Sequence, residues 1–526
     1  MAESPPSPCR LKNGFMLVVA FTGLFLFISY LKYASIKSCG ADTIRQDFMS
    51  AWGCTRQRQT SPATIRVGLS PASMARNETD GLQPVSVASN EAEAGKMYRQ
   101  IWNEYVNHSH IVNQSSPHCS LPSEFHSWER GTVTQMWMPL KKDCHKLRQN
   151  PAQEMQTSNL TIQLKAWKYS RPWQSFALKF KNMSCDKIRE QFENNFYVSQ
   201  IEKNFPIAYI LVVYTNAGQV LRLLKSIYRA HNLYCIHPDA RQGESFKGFF
   251  TAVSKCLDNV FVVSNPVKVY YGHISITDAQ LQCMQDLEKY PQSRWRYVIN
   301  LCGREIPLKT NREIVHSLQQ LGGYSAVDAF PLPQEFWKKR FTRKYRLDKN
   351  GKNRRTSKKQ VKPPEGIKLY KSMNFIAASR SFVHFILNDS VAKEFHEYLT
   401  TVYAPEEHFY SSLYALPQAI GAKPPPGLHA TNGMPIIDKF IWIVNSYSKE
   451  HLKKLCPGRK EIHSICILTT MELGIIERNG VRPNRPPIFF FNKYFLEWDP
   501  VPMDCMEERL VETNMKEYKR DCIPEP

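Results

Sequence analysis

The chain has 526 residues, and its 69 Lys and Arg against 47 Asp and Glu leave a formal charge of +22. With 42% hydrophobic and 12% aromatic residues it is neither a wholly disordered nor a collagen-like polymer, and it holds enough apolar mass for at least one large core. The charge alone admits nucleic acid, an anionic surface or a phosphate-bearing small substrate as partner.

Residues 15–31, FMLVVAFTGLFLFISYL, form an uncharged run between Arg10 and Lys12 on one side and Lys32 on the other. As a helix this run reaches about 25 Å, the short end of a bilayer span. It is longer than the apolar stretch of most cleaved signal peptides, and Tyr33-Ala34-Ser35 is a poor small-x-small cleavage site. The run therefore reads as an uncleaved signal anchor at 15–31, with residues 1–14 as a cytoplasmic tail. Flanking Lys and Arg are nearly balanced and do not orient it. Residues C-terminal to the run orient it instead: N-glycosylation sequons begin at Asn77, Asn107, Asn113, Asn159, Asn182 and Asn388. Thirteen of the 14 cysteines also lie beyond the anchor, as an oxidising lumen favours. A luminal, single-pass type II body removes nucleic acid from the list of partners.

Residues 32–139 read as a largely flexible stem, polar and without a sustained period as far as about residue 114. The aromatic-bearing segments WERGTVTQMWMPL and LTIQLKAWKY suggest a wrap around a main domain assigned to 140–526. From 207 the texture changes. IAYILVVY is a continuous apolar, β-branched run of the kind buried on both sheet faces. Thr215-Asn216 then offer an N-cap, and Val220, Leu223, Leu224 and Ile227 follow helical spacing. Strand LYCIHPD, helix SFKGFFTAVSKCL, strand VFVVS, helix TDAQLQCMQDL, strand RYVINLCG and helix NREIVHSLQQL come next. Four β-α units predict an α/β fold, a mostly parallel sheet with helices on both faces and ligands at the strands' carboxyl ends. Neither G-x-G-x-x-G nor a P-loop is present. Residues 337–371 hold fifteen Lys and Arg against two acids, interrupted by Gly351, Asn353 and Pro363-Pro364. That segment reads as a solvated mobile loop or as a contact for a polyanion.

The stretches FPIAYILVV, RLLKSIY, CLDNVFVVS, CMQDL, RYVINLCGREIPLKTNREIV, FWKKR, YAPEEHF and NKYF, with the cysteine spacing, resemble the core 2/I-branching β-1,6-N-acetylglucosaminyltransferases over roughly residues 140–510. The resemblance implies a GT-A-like, Rossmann-like sheet, a Golgi location, UDP-GlcNAc as donor substrate, glycoprotein O-glycans as acceptors, and neither cofactor nor metal. It also implies the disulfides Cys144–Cys505, Cys185–Cys256, Cys235–Cys283 and Cys456–Cys466, with Cys302 unpaired. Cys39, Cys54, Cys119 and Cys522 receive no assignment, and Cys39 or Cys54 in the stem is a candidate for a disulfide-linked homodimer.

Glu407 in A-P-E-E-H matches the family's catalytic base and Glu406 the flanking acid, assigned to acceptor binding. A sugar hydroxyl is a poor nucleophile and needs a carboxylate to take its proton; on bare sequence an E-E pair is far more often a helix N-terminus, where acids suit the dipole. No D-x-D occurs anywhere in the chain. The family instead meets the leaving diphosphate with a Lys, here Lys493, and an Arg, whose position is His463 in a loop one residue longer, with Arg459 and Lys460 nearby. Val212, Tyr214, Asp239 and Tyr271 complete the expected donor side, and Trp442 the acceptor side.

Departures accumulate: Tyr214 stands at a His position, Ile274 at a Trp, Phe336 at a basic residue, Val444 at a Tyr, and Lys371-Ser372 at a Gly-Ser. For Asp239, Tyr271 and Trp442 fold packing competes evenly with binding. The expected function is inverting, metal-independent GlcNAc transfer to the C6 hydroxyl of galactose or GalNAc. The alternative is a catalytically weak or silent Golgi relative that binds glycan, nucleotide or a partner protein.

Overall fold

The computed structural model describes residues 140, 142–170, 180–192, 196–290, 294–416, 419, 440–441, 456–462, 465–480 and 488–522. The tail, the 15–31 run, the stem, Asn77, Asn107, Asn113, Trp442, Val444 and His463 lie outside them. No described helix is long and apolar enough to cross a membrane.

The central sheet is built from β1 (Ile207–Val213), β2 (Leu233–Pro238), β3 (Val260–Val262) and β4 (Tyr297–Leu301). Short strands β5 (Glu305–Pro307), β6 (Arg343–Leu347) and β7 (Asn353–Lys359) follow, then β8 (Ala377–Ser379) and β9 (Phe490–Asn492). The sheet order is β8-β4-β1-β2-β3. β1 pairs in parallel with β2 and β4, and β2 with β3, while β8 closes one edge antiparallel to β4. The sheet is thus mostly parallel, as the β-α repeat predicts.

β1 shows why its sequence is apolar throughout. Ile207, Tyr209, Leu211 and Val213 enter one buried cluster, while Ala208 and Ile210 enter another. Strand side chains alternate between faces, so a strand covered on both sides has no polar position. The first face is covered by α1 (Ala217–Ile227), α2 (Glu244–Ser254), α4 (Asn311–Gln319) and the long α7 (Val501–Cys522), the second by α3 (Ser275–Lys289) and α6 (Arg380–Asn388). One further helix, α5 (Gln334–Arg340), leads into the β6–β7 hairpin. Asn216 caps α1 as expected, its side chain accepting from the Gln219 amide while its backbone sits at φ 50°, a conformation Asn tolerates.

Short helices at Cys144–Gln149, Pro151–Thr157 and Leu160–Ser170 supply the wrap. Disulfides join Cys144 to Cys505, Cys185 to Cys256, Cys235 to Cys283 and Cys456 to Cys466, and Cys302 is the free thiol among the described residues. Cys522, which had no assignment, is also disulfide-bonded. Asn159, Asn182 and Asn388 are exposed, as glycan attachment requires.

The basic segment departs from the mobile-loop reading. β6 and β7 form an antiparallel hairpin, with Arg346 opposite Arg354 and Leu347 opposite Asn353. Asp348 organises the turn by accepting from the Asn350 and Lys352 amides, and Gly351 adopts φ +73° beside the Tyr270 ring. The strand carrying Tyr345 is fastened to the domain by its amide, which donates to Thr401 O at 2.8 Å.

α1 and α7 are joined by a charged group inside the core. Arg222, 1% exposed, donates to Asp504 at 2.8 Å and to both oxygens of Glu507, and Lys142 pairs with Asp504 at 2.6 Å. Removing one partner of such a group leaves buried charge without compensation. Arg222→Ala should therefore lower unfolding free energy by about 3–5 kcal/mol, read by denaturant titration; a loss under about 1 kcal/mol would contradict this account of the α1–α7 contact.

Candidate active site

The segment A-P-E-E-H forms a tight turn between two packed elements. Ala404 sits at φ 52°, with its amide donating to Gly272 O at 2.9 Å, and Pro405–Glu407 continue as one 3-10 turn. Proline suits the first position of such a turn because its fixed φ is already right and its missing amide has no partner to lose. From the other side the Ser372 amide donates to Glu407 O at 2.7 Å. The turn is thus gripped by the loop before α3 and by the segment after Lys371.

Glu407 lies between two cations. Arg340 Nη1 donates to its Oε2 at 2.6 Å, and Lys371 Nζ stands 3.2 Å from the same oxygen. Burial pushes this carboxyl up, but Lys371 and Arg340 outweigh it and hold it below its ordinary value. Arg340 is itself fixed: its Nη1 lies 3.0 Å from His408 Nε2, and its guanidinium packs 4.8 Å from the Phe336 ring centre. His408 is fully buried, and burial together with Arg340 depresses its pKa to about 3. The neutral ring therefore donates from Nδ1 to Tyr370 O at 2.8 Å and accepts from Arg340 at Nε2.

Glu406 has the opposite environment. It is 8% exposed, and its Oε2 is buried without a hydrogen-bond partner. Burial first, and the Glu407 charge in addition, raise its carboxyl to about 8. Two adjacent carboxyls therefore differ near neutrality, one ionised and one protonated, because their surroundings push them apart. Tyr271, 68% exposed, is pushed up by burial, Tyr403, Glu406 and Glu407, which places it within electrostatic reach of the pair.

The other expected residues line the strand ends. Val212 stands opposite His237 and Val213 opposite Pro238 across β1 and β2, and the Asp239 amide donates to Val213 O at 2.8 Å. Asp239 is buried and occupied: Arg241 engages both of its oxygens, at 2.6 Å on Oδ2, and the Val269 amide adds a longer contact. Tyr214 is 48% exposed just past β1, with the Arg304 guanidinium 6.0 Å from its ring centre.

Lys493 follows β9, which pairs antiparallel with β5. Its backbone carbonyl accepts from Leu468 at 2.9 Å, and burial lowers its ammonium pKa. Glu305 accepts from the Cys302 and Arg304 amides, the Cys302 thiol and Asn492, closing a buried network beside Lys493. Arg304 donates to Gln219 at 2.9 Å and to Glu497 at 3.2 Å.

The structure thus gathers Glu406, Glu407 and Tyr271 at one place, and Tyr214 and Lys493 around Arg304 at another. Arg340, His408 and Arg304 were not singled out from sequence, and Lys371 only as a departure from a Gly. The F-W-K-K-R and G-R-E-I-P matches contain two of these residues, but only the fold shows what they touch. Among the described residues one group has metal-ligand spacing, Cys456, Cys466 and Glu472, and its two thiols are consumed by their disulfide.

Comparison with known proteins identifies related chains. The family model described as Core-2/I-Branching enzyme matches residues 207–434. The β-1,3-galactosyl-O-glycosyl-glycoprotein β-1,6-N-acetylglucosaminyltransferase 4 of Danio rerio is 32% identical over 340 residues, covering 63% of this chain and 76% of that one. The β-1,3-galactosyl-O-glycosyl-glycoprotein β-1,6-N-acetylglucosaminyltransferase of Homo sapiens is 29% identical over 378 residues, covering 70% and 84%. The N-acetyllactosaminide β-1,6-N-acetylglucosaminyl-transferase of Mus musculus is 30% identical over 323 residues, covering 61% and 76%.

The raised Glu406 carboxyl has a consequence for stability. Between its ordinary value of 4.5 and about 8 the folded chain keeps a proton that the unfolded chain has released, so this group makes stability fall as pH rises through that window. Glu406→Gln removes the effect. The variant should gain stability over the parent between pH 5 and pH 8 by up to about 4 kcal/mol, visible as a widening difference in melting temperature. A difference that stays flat with pH would refute the buried, protonated state.

Proposed function

Because this chain belongs to the core-2/I-branching enzyme family, we propose that it transfers GlcNAc from UDP-GlcNAc, with inversion and without a metal, to the C6 hydroxyl of galactose or GalNAc in glycoprotein O-glycans. The observation that carries this reading is Glu407, an ionised carboxylate held by Arg340 and Lys371 on a turn gripped from both sides. In one displacement the acceptor oxygen bonds to the anomeric carbon, the bond from that carbon to the UDP oxygen breaks, and the hydroxyl proton passes to Glu407. The ionised form is the one able to receive that proton.

The departing diphosphate needs cationic stabilisation. Lys493 supplies it on the donor side, with Arg304 as its neighbour and His463 at the position of the family's Arg. Tyr214, Val212 and Asp239 stand at the carboxyl ends of β1 and β2, where ligands of open parallel sheets bind. Glu406, Tyr271 and Trp442 take the acceptor side, with Glu406 uncharged beside the base. The 15–31 run anchors the chain in the Golgi membrane and holds the enzyme in the lumen, a placement supported by the disulfides and by the exposed sequon residues Asn159, Asn182 and Asn388.

A second reading, a silent relative that binds glycan, nucleotide or a protein partner, is favoured by one contact. Lys371 stands at a Gly position of the family and touches the oxygen of Glu407 that Arg340 also holds. A base engaged by two cations is a weak base.

UDP release from UDP-GlcNAc in the presence of a galactosyl-GalNAc acceptor separates the two. Transfer predicts release that persists in EDTA and falls about 10²–10⁴-fold in Glu407→Gln, while UDP-GlcNAc binding is retained. Failure of the chain to bind UDP or UDP-GlcNAc overturns the transferase reading.

A further inference from the structure

The β6–β7 hairpin carries the densest charge in the described structure and plays no part in the displacement itself. Arg346, Arg354, Arg355, Lys358 and Lys359 are exposed, and Arg343 is partly so. The hairpin's acid is Asp348, which takes Arg354 at 3.2 Å; no other ion pair is made by these cations among the described residues.

The pairing register sharpens the point. Arg346 lies directly opposite Arg354, and Arg343 directly opposite Lys359. Like charges facing each other across a strand pair are destabilising; within the hairpin Asp348 offsets Arg354 and Ser357 O accepts from Arg343, while Arg346 makes no ion pair among the described residues. Arg343 and Arg346 are three residues apart on β6, so the two rungs lie on opposite faces, and Arg346–Arg354 is the one turned away from buried Tyr345.

The hairpin is also rigidly placed. Besides the Tyr345–Thr401 hydrogen bond, Gln360 bonds Thr401 at 3.0 Å and Asn353 Nδ2 donates to Gly272 O at 2.6 Å. The Tyr345 ring packs 5.3 Å from the Tyr403 ring, and Arg340, the partner of Glu407, is 5.9 Å from that same ring. The hairpin is thus linked through the Tyr345 and Tyr403 rings to Arg340, the partner of the candidate base.

From this geometry we infer that the hairpin is an extended docking surface for a sulfated glycan chain borne by the acceptor. Guanidinium forks match the oxygens of a sulfate ester in pairs, and the exposed Arg346–Arg354 rung sets two such forks side by side on one face. The sulfated segment lies on the hairpin while the sugar to be branched reaches Glu407. Its role as an acceptor contact rests on the transferase reading; its anion chemistry does not.

Binding is read first, on the full chain in detergent without donor, using a sulfated oligosaccharide, the same oligosaccharide desulfated, and a sialylated glycan of equal length. The sulfated probe should bind at least tenfold more tightly than the other two, with affinity falling as salt rises. Arg346→Ser/Arg354→Ser should abolish that preference while leaving the melting temperature unchanged or higher, since a repulsive rung is removed. Turnover is read second: kcat/KM should favour the sulfated over the neutral acceptor at least tenfold in the parent and fall to the neutral level in the variant. Equal binding of sulfated and desulfated probes, preference for the sialylated glycan, or an unchanged preference in the variant overturns the proposal. Sulfate-selective binding without turnover of either acceptor sinks the transferase reading and upholds the docking surface.

Discussion

The candidate reaction centre depends on how one carboxylate is held. Glu407 offsets its partial burial with two cations, and those cations come from distant parts of the chain: Arg340 from the end of α5, Lys371 from the segment leading towards β8. His408 then fixes Arg340 by accepting from it while donating to Tyr370 O, and the Ser372 amide fixes Glu407's own backbone. The position and ionisation of Glu407 follow from that arrangement, while the neutrality of Glu406 comes from its own burial, with the Glu407 charge adding to it and the two cations opposing it. Without Arg340 and Lys371, burial would protonate Glu407 more readily, and the contrast between the two adjacent acids would shrink.

In the proposed reaction the contrast has a chemical use. A protonated Glu406 can donate a hydrogen bond to a sugar oxygen, which an ionised one cannot. An ionised Glu407 can accept one. A turn with both states side by side offers a hydroxyl-bearing substrate one donor and one acceptor without placing two negative charges in a partly buried site. In the proposed reaction the group receiving the proton and the cations meeting the diphosphate have different supports: Glu407 is held by Arg340 and Lys371, whereas Arg304, the neighbour of Lys493, is held by Gln219 and Glu497.

Much of the scaffold was legible because its physics is local. IAYILVV is apolar at every position since both faces of β1 are covered, and Asn216 marks the start of α1 by a cap. The disulfides Cys144–Cys505, Cys185–Cys256, Cys235–Cys283 and Cys456–Cys466 are those that the resemblance to the family implies, though spacing without the family leaves their connectivity open. The hairpin was illegible for the opposite reason. R-K-Y-R-L and N-R-R-T-S-K-K lack alternating apolar residues, and only Tyr345 of them is buried. What makes the hairpin is the D-K-N-G turn together with a tertiary contact at Thr401 that no short-range pattern announces. The partners of Glu407 were hidden in the same way: 67 residues separate it from Arg340, and only the assembled fold brings them together.

The central claim is that Glu407 is a base kept ionised by Arg340 and Lys371. The pH dependence of kcat/KM reports the free enzyme's essential groups, and the decisive measurement is that profile for the parent chain and for Lys371→Met. The account predicts an acidic limb in the parent below the ordinary carboxylate value of 4.5, moving to higher pH when the Lys371 charge is removed. A parent limb at or above 4.5, or a limb that stays in place in Lys371→Met, would contradict it.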